Sequence, residues 1–223
     1  MKLSAVLLAR TIAFLDINEL NPRGVVFFPK LVPALVERFN FQNFPSKPED
    51  FDESKGVKFS VGYFGGHTID EMTVFNDGIV LSTRSSTSHG KEIITNTLEW
   101  LAANHGITYA EDTVSRWNYV SNLAFNSDVD LNFVSPALSD FIARLGTEMK
   151  DDIRVAGDFH VESITFDIDR TSGVKQLTPF KIERRSKIEF SQGKYFSAAP
   201  LQTQVHISLL EQFEAAIRVH LKP

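Results

Sequence analysis

Residues 84–91, with the sequence RSSTSHGK, bring hydroxyl groups, a glycine and cationic side chains together between a predicted strand and a predicted helix. Free backbone N–H groups and the helix dipole favour a phosphate or carboxylate at such a position. The alternative is a flexible linker in which Ser88 caps the helix, because no Walker-type spacing is present. The candidate anion ligands in this segment are Arg84, Ser86, Ser88, His89 and Lys91.

Two arginines, Arg10 and Arg184, occupy positions that strand alternation assigns to an apolar face. A guanidinium directed into a core needs a carboxylate or a bound anion, because an unpaired buried charge is very costly. His160 and Glu162, on the preceding predicted strand, can supply a partner for Arg184. The pattern therefore predicts anion-binding arginines or, as the favoured alternative, structural ion pairs or side chains that reach solvent at a sheet edge.

Two acidic pairs, Asp128/Asp130 and Asp167/Asp169, have the i, i+2 spacing that places carboxylates on one strand face. Mg²⁺ can bridge such a pair and support metal-dependent hydrolysis. Both pairs lie at predicted strand ends, where Asp commonly bonds to nearby backbone. We favour this structural role and keep a metal site at Asp167 and Asp169 as the weaker alternative.

No familiar catalytic motif occurs in the sequence: G-x-S-x-G, H-E-x-x-H and G-x-x-x-x-G-K-[ST] are all absent. The 6 histidines have no metal-ligand spacing, and there is no cysteine for a thiolate site or a nucleophile. We therefore assign no cofactor and favour a protein that is not an enzyme.

Residues 170–194 form the one strongly basic segment, which can in principle follow a phosphate backbone. Its charges alternate along a predicted strand, so solvent-facing side chains that protect a sheet edge are the favoured explanation. The net charge of −5 also argues against general attraction to nucleic acid or an anionic membrane.

The composition is that of a globular protein, with 43% hydrophobic residues but a heavy load of 19 Phe among 223 residues. Arg10 interrupts the apolar run that follows Lys2, and no small-residue cleavage site follows it, so we interpret this run as a strand and not as a signal peptide. No apolar stretch reaches the ~20 residues that span a bilayer. We predict a cytoplasmic protein.

In the first half, residues 3–15 predict a central strand covered on both faces. A helix with Pro33 in its first turn follows, then a strand at 57–63 and a hairpin in which Gly78 takes a positive φ and Asp70 faces Arg84. A second helix is predicted from about residue 91, with Gly106 as its stop. The inward side chains expected of the first helix are Val32, Leu35, Val36 and Phe39, and those of the strand are Val57, Phe59, Val61 and Tyr63.

In the second half, a strand around Trp117–Phe125 precedes a helix that begins at Ser135-Pro136. Strands are predicted at 159–169 and 180–190, and a last helix at 204–220. The expected apolar stripe of the earlier helix is Leu138, Phe141, Ile142, Leu145 and Met149, and that of the last helix is Leu209, Leu210, Phe213, Ala216 and Ile217.

The two halves share an element order and a local motif, since Pro33-Ala34-Leu35 recurs as Pro136-Ala137-Leu138. We predict a single compact domain over residues 1–223, of the α+β class, with an antiparallel sheet and four main helices mostly on one face. The order further predicts structural repeats of a βαβββα unit at 3–104 and 115–220, although amphipathic helices can match by coincidence.

For function we favour a non-enzymatic recognition or assembly subunit that acts through contacts with a protein partner or a second copy of itself. The basis is the high phenylalanine count and a sheet face to which no helix is assigned. The first alternative is a receptor for a small anionic, phosphate-bearing ligand, or a metal-dependent hydrolase, that uses the 84–91 loop or the aspartate pairs. The second is nucleic-acid binding through residues 170–194.

Overall fold

The computed structural model describes residues 1–52, 55–153, 159–168 and 177–220. The strands in these residues are β1 (Lys2–Phe14), β2 (Val57–Phe64), β3 (His67–Phe75), β4 (Gly78–Thr83), β5 (Arg116–Asn126), β6 (Ser163–Phe166), β7 (Phe180–Arg184) and β8 (Lys194–Ala199). The helices are α1 (Ile17–Leu20), α2 (Val32–Phe39), α3 (Thr87–His105), α4 (Pro136–Ile153) and α5 (Thr203–His220). The strands form an antiparallel sheet in the order β2-β3-β4-β1-β5-β8-β7-β6. The predicted α+β class is confirmed.

The protein divides into two compact units. The first unit comprises residues 6–121 and 200–203, and the second comprises 1–5, 122–199 and 204–223. Within each unit a strand and a helix of at least two turns precede three strands and another helix. Element order alone does not establish a repeat, so the duplication stays a prediction, as does the single domain over residues 1–223.

One apolar core holds the first unit together. The inward side chains of α2 and α3 pack in a single cluster with those of β1 to β4, as the buried Leu35, Phe39, Ile94, Leu98 and Leu81 illustrate. The predicted α2 stripe is confirmed for Val32, Leu35 and Phe39, with Val36 partly buried. The stop of α3 at Gly106 is also confirmed, with φ of 78°.

The β3–β4 hairpin differs from the prediction in the role of Gly78. Phe75 pairs with Gly78, so the turn has two residues and Gly78 is the first residue of β4 instead of a positive-φ turn residue. A Cβ at Gly78 would lie 2.5 Å from the carbonyl oxygen of Ala13, so close strand approach requires this glycine. The predicted pair is nevertheless present, because a bulge between Ile69 and Glu71 lets Asp70 reach Arg84.

The alternation of buried and exposed side chains along β2 reverses at Val61. Val57 and Phe59 are buried as predicted, whereas Val61 and Tyr63 are exposed and Gly62 is buried instead. Val61 has φ of 56°, a rare conformation for a β-branched residue, and this turns the rest of the strand over. The prediction that Val61 and Tyr63 face inward is therefore wrong.

The first strand is central, as predicted, but it is not covered on both faces. Residues Lys2–Ala5 are exposed, and further along only Ala9, Thr11 and Ala13 are fully buried. The exposed Leu3 and Leu7 show why the prediction was wrong. Apolar residues at both odd and even positions of a strand do not require that both of its faces are buried.

In the second unit the structure differs from the prediction at three elements. The strand predicted at 180–190 ends at Arg184, because Lys187 has φ of 64° and the backbone turns into β8. The stripe of α4 is only partly buried, and its Phe141 is 60% exposed. Leu209 and Ala216 of α5 are exposed, while His206 and Glu214 lie on the buried side with Leu210 and Ile217.

Within the described residues, none of the helices combines the length and the apolar character that crossing a membrane requires.

Candidate functional site

The segment predicted to bind an anion is shorter and more structured than expected. Helix α3 begins at Thr87, so Ser88, His89 and Lys91 belong to its first turns and the linker covers only residues 84–86. The N-cap is Ser86, not Ser88, and its hydroxyl accepts a hydrogen bond from the Ser88 amide at 3.2 Å.

Thr203 also forms hydrogen bonds with the first residue of helix α3. The Thr87 amide donates to Thr203 Oγ1 at 3.1 Å, and the Thr203 amide donates to Thr87 Oγ1 at 2.9 Å. Thr87 is fully enclosed, and its carbonyl oxygen accepts the hydroxyl of Thr11. Two of the amides that would hold an anion therefore already have partners inside the first unit.

Replacing Thr203 with valine should lower the free energy of unfolding by about 1–2 kcal/mol, because the buried Thr87 amide loses its acceptor. Urea unfolding of the variant measures this loss. The matched control is Thr68→Val on the exposed side of β3, which should change the stability by less than about 0.5 kcal/mol. Equal losses in the two variants would contradict the capping role.

The cationic groups of the segment have separate environments. Arg84 pairs with Asp70 at 3.1 Å, and the Lys91 ammonium lies 5.3 Å from the centre of the Trp117 ring. The ring of His89 stacks on that of His67, a residue the sequence patterns did not single out, with 3.8 Å between their centroids. Ser88 and Lys91 line one pocket, whereas Arg84, Ser86 and His89 do not line it.

The two predicted inward arginines also differ. Arg10 is half-buried on β1, and its Nε donates to Ser82 Oγ at 3.1 Å. Arg184 is buried, and its Nη2 donates to Asp130 Oδ1 at 2.7 Å. Glu162, the predicted partner of Arg184, contributes only a backbone oxygen, which accepts the Arg184 amide.

The remaining contacts of Arg184 surround its ion pair with Asp130. Its other nitrogens donate to the carbonyl oxygens of Val161 and Phe190, and the guanidinium lies 4.5 Å from the Phe190 ring and 5.3 Å from the Tyr195 ring. His160 Nδ1 lies 3.8 Å from the second oxygen of Asp130. Every face of the Arg184 head therefore has a partner within the second unit.

The aspartate pairs do not form a shared site in the described residues. Asp128 pairs with Arg218, whereas Asp130 pairs with Arg184. Asp167 accepts the Ile168 amide, and Asp169 lies outside the described residues. The described part of the protein has no group of three or more side chains suited to hold a metal ion.

The basic segment is only partly described, since residues 170–176 lie outside the described ranges. Within the rest, Arg184 is enclosed and Lys181 pairs with Glu183. Fewer cations than the sequence suggested are therefore open to a phosphate backbone.

The first unit also contains a concave feature that was not predicted. It is a cleft of about 820 Å³, a size typical of ligand sites. Four aromatic side chains line it, and we call it the phenylalanine cleft: Phe27, Phe28, Phe51 and Phe75. Its aliphatic wall includes Ile17, Val57 and Val74.

A smaller apolar chamber of about 80 Å³ adjoins the phenylalanine cleft and reaches into the core. Phe28 and Val74 line both spaces, and Leu35, Met72 and Leu98 line the deeper one. An apolar side group of a ligand can therefore leave water at this point and contact core residues.

Side-chain hydrogen bonds hold both rims of the phenylalanine cleft. On one rim, the Asn21 amide group donates to the Val26 carbonyl at 2.8 Å, and its oxygen accepts the Val26 amide at 3.1 Å. On the other, Asp50 Oδ2 accepts the amides of Ser46 and Lys47 at 2.8 and 2.9 Å. These two bonds hold the pKa of Asp50 below its ordinary value.

Comparison with known proteins gives no family for this protein. No protein-family model matches it, and no curated protein matches it significantly. The geometry of the sites is therefore the basis for inferring function.

The only signal for the phenylalanine cleft in the sequence was the phenylalanine count. Phe27 and Phe28 precede α2, and Phe51 lies in the polar segment between α2 and β2. None of them belongs to a periodic pattern, so periodicity could not assign them to a shared surface.

Proposed function

We propose that this protein is a non-enzymatic recognition subunit that binds an apolar segment of a partner protein in the phenylalanine cleft. The observation that carries the proposal is the cleft itself, whose volume of about 820 Å³ and aromatic walls suit an apolar side chain with its flanking backbone. The deeper chamber adds a place for one buried anchor.

The rim favours a protein segment over a small molecule. Phe27 is 63% exposed and the nearby Val25 is 77% exposed, so the apolar surface extends from the cleft onto its edge. A small molecule inside the cleft would leave this edge in water, whereas a peptide that crosses it would cover both.

One hydrogen-bonded pair of a serine and a histidine, Ser197 and His206, is buried and therefore inaccessible to a substrate. Ser197 and His206 lie 2.8 Å apart, and both have no exposed surface. This pair supports a structural interpretation and gives no reason to prefer an enzyme.

Selection of displayed random peptides on the purified protein should enrich sequences with aromatic or branched apolar residues. Phe27→Ser should weaken the selected peptides about tenfold, equivalent to about 1.4 kcal/mol, while the fold is retained because Phe27 is mostly exposed. Fluorescence anisotropy with labelled peptides measures the affinities, and circular dichroism checks the fold.

The matched control is Phe141→Ser, because Phe141 is 60% exposed in the second unit. It should leave peptide affinity unchanged. Peptides that respond to Phe141→Ser and not to Phe27→Ser would assign the partner surface to α4 and overturn the proposal. A dimer in light scattering that Phe27→Ser dissociates would replace the partner protein with a second copy of this protein.

A further inference from the structure

We propose that the segment bound in the phenylalanine cleft carries a carboxylate that pairs with Lys47. The inference rests on the proposed function and specifies the chemistry of the partner. Lys47 is the one charged side chain among the described residues that line the cleft.

The Lys47 ammonium is available to a ligand. It is exposed, and no carboxylate of the described residues forms an ion pair with it, in contrast to Lys55 and Lys58, which pair with Asp52 and Glu71. The nearby carboxylate of Asp50 already accepts the Ser46 and Lys47 amides on one oxygen. These two backbone bonds are the main cause of the lowered pKa of Asp50, and the positive charge of Lys47 is a smaller cause.

The backbone that carries Lys47 is fixed. The Asp50 bonds hold residues 46–47 at the start of a short 3-10 helix, Pro48–Phe51, whose last residue is a wall of the phenylalanine cleft. The same turn therefore positions an aromatic surface and a cation beside each other.

The asparagine side chains of the cleft are already engaged. The Asn18 amide donates to Asp16 at 2.9 Å, and Asn21 exchanges two hydrogen bonds with Val26. Asn76 also has a partner. Among the described residues of the cleft, Lys47 is thus the charged donor that remains for a ligand, and its ammonium can pair with a carboxylate.

The carboxylate can come from an acidic side chain or from the C-terminus of a polypeptide, and three synthetic peptides distinguish the sources. They are acetyl-Leu-Phe-Glu-amide, acetyl-Leu-Phe-Gln-amide and acetyl-Gly-Leu-Phe with a free C-terminus. Titrations followed by NMR chemical shifts measure weak affinities of this kind. At low salt, at least one carboxylate peptide should bind about two- to fivefold more tightly than the Gln peptide, and high salt should remove the difference.

Lys47→Gln should abolish the preference for a carboxylate and leave affinity for the Gln peptide unchanged. The matched control is Lys30→Gln, because Lys30 is exposed and follows the cleft residues Phe28 and Pro29 without lining the cleft. Equal binding of all three peptides, or the same effect from Lys30→Gln, would overturn the inference while the proposed function stands. Absence of binding by any of the peptides would overturn both.

Discussion

Replacing Arg184 with alanine should lower the free energy of unfolding by about 3 kcal/mol. The guanidinium is buried and has three hydrogen-bond partners, so its removal leaves Asp130 without its cation and takes one donor from each of the Val161 and Phe190 carbonyl oxygens. The Asp130 side chain is 29% exposed and keeps some hydration, which places the loss at the lower end for a broken buried pair. Urea unfolding measures it.

Arg185→Ala is the internal control for Arg184. Arg185 is exposed and lies on the opposite face of the backbone, so its truncation should change the stability by less than about 0.5 kcal/mol. Combining Arg184→Ala with Asp130→Asn should cost less than the sum of the single changes, because the second change removes the orphaned charge. Equal large losses for Arg184→Ala and Arg185→Ala would refute the buried-pair account.

Lowering the pH from 6.5 to 4 should remove about 3 kcal/mol of stability through His206 alone. Burial lowers the pKa of His206 from 6.5 to about 4, because the charged imidazole would lose its hydration. Over this pH range the unfolded protein binds a proton at His206 that the folded protein does not bind, so stability falls as pH falls. Each unit of pKa difference corresponds to about 1.4 kcal/mol.

The surroundings of His206 explain why the neutral ring is preferred. Ser197 donates its hydroxyl to the Lys181 carbonyl at 2.7 Å, so the Nε2–H of His206 donates to Ser197 Oγ. Phe180 lies edge-on to the ring at 5.3 Å. The neutral ring therefore has a hydrogen-bond acceptor, whereas no charge compensation is provided by Ser197 or Phe180.

His206→Gln should flatten the pH dependence of stability between 4 and 6.5, since the amide can donate to Ser197 without titrating. Thermal unfolding at a series of pH values measures the slope for each protein. A His206→Gln variant that retains the full wild-type slope would show that other groups are responsible.

Local patterns predicted the elements whose signals lie within a few residues. The position of Pro33 in the first turn of α2, the start of α4 at Pro136 and the stop of α3 at Gly106 follow from the fixed φ of proline and the positive φ of glycine. The pairing of Asp70 with Arg84 was also predicted, because a hairpin brings near neighbours together.

The errors arise where distant residues decide the outcome. Helix α3 begins four residues before the predicted position, after the N-cap Ser86, and its first amide donates to Thr203, a distant residue that no local pattern contains. Arg184 was assigned to an apolar face correctly, but its partner Asp130 lies far away in the sequence. His206 was overlooked because periodicity assigns buried positions by apolar residue type.

The phenylalanine cleft could not be predicted because it depends on irregular segments. Its walls come from the segment between α1 and α2, from a short 3-10 helix and from strand ends. Asn21 and Asp50 shape these segments through side-chain bonds to backbone, and such bonds have no period in the sequence.

The hydrogen-bond exchange between Thr87 and Thr203 also constrains the order of events during synthesis. Residues 6–121 leave the ribosome long before Thr203 is made, and at about 5–20 residues per second the delay lasts for seconds. Throughout that time the first turn of α3 lacks the acceptor that Thr203 later provides. The nascent first unit is therefore incomplete until its last segment, residues 200–203, has been translated.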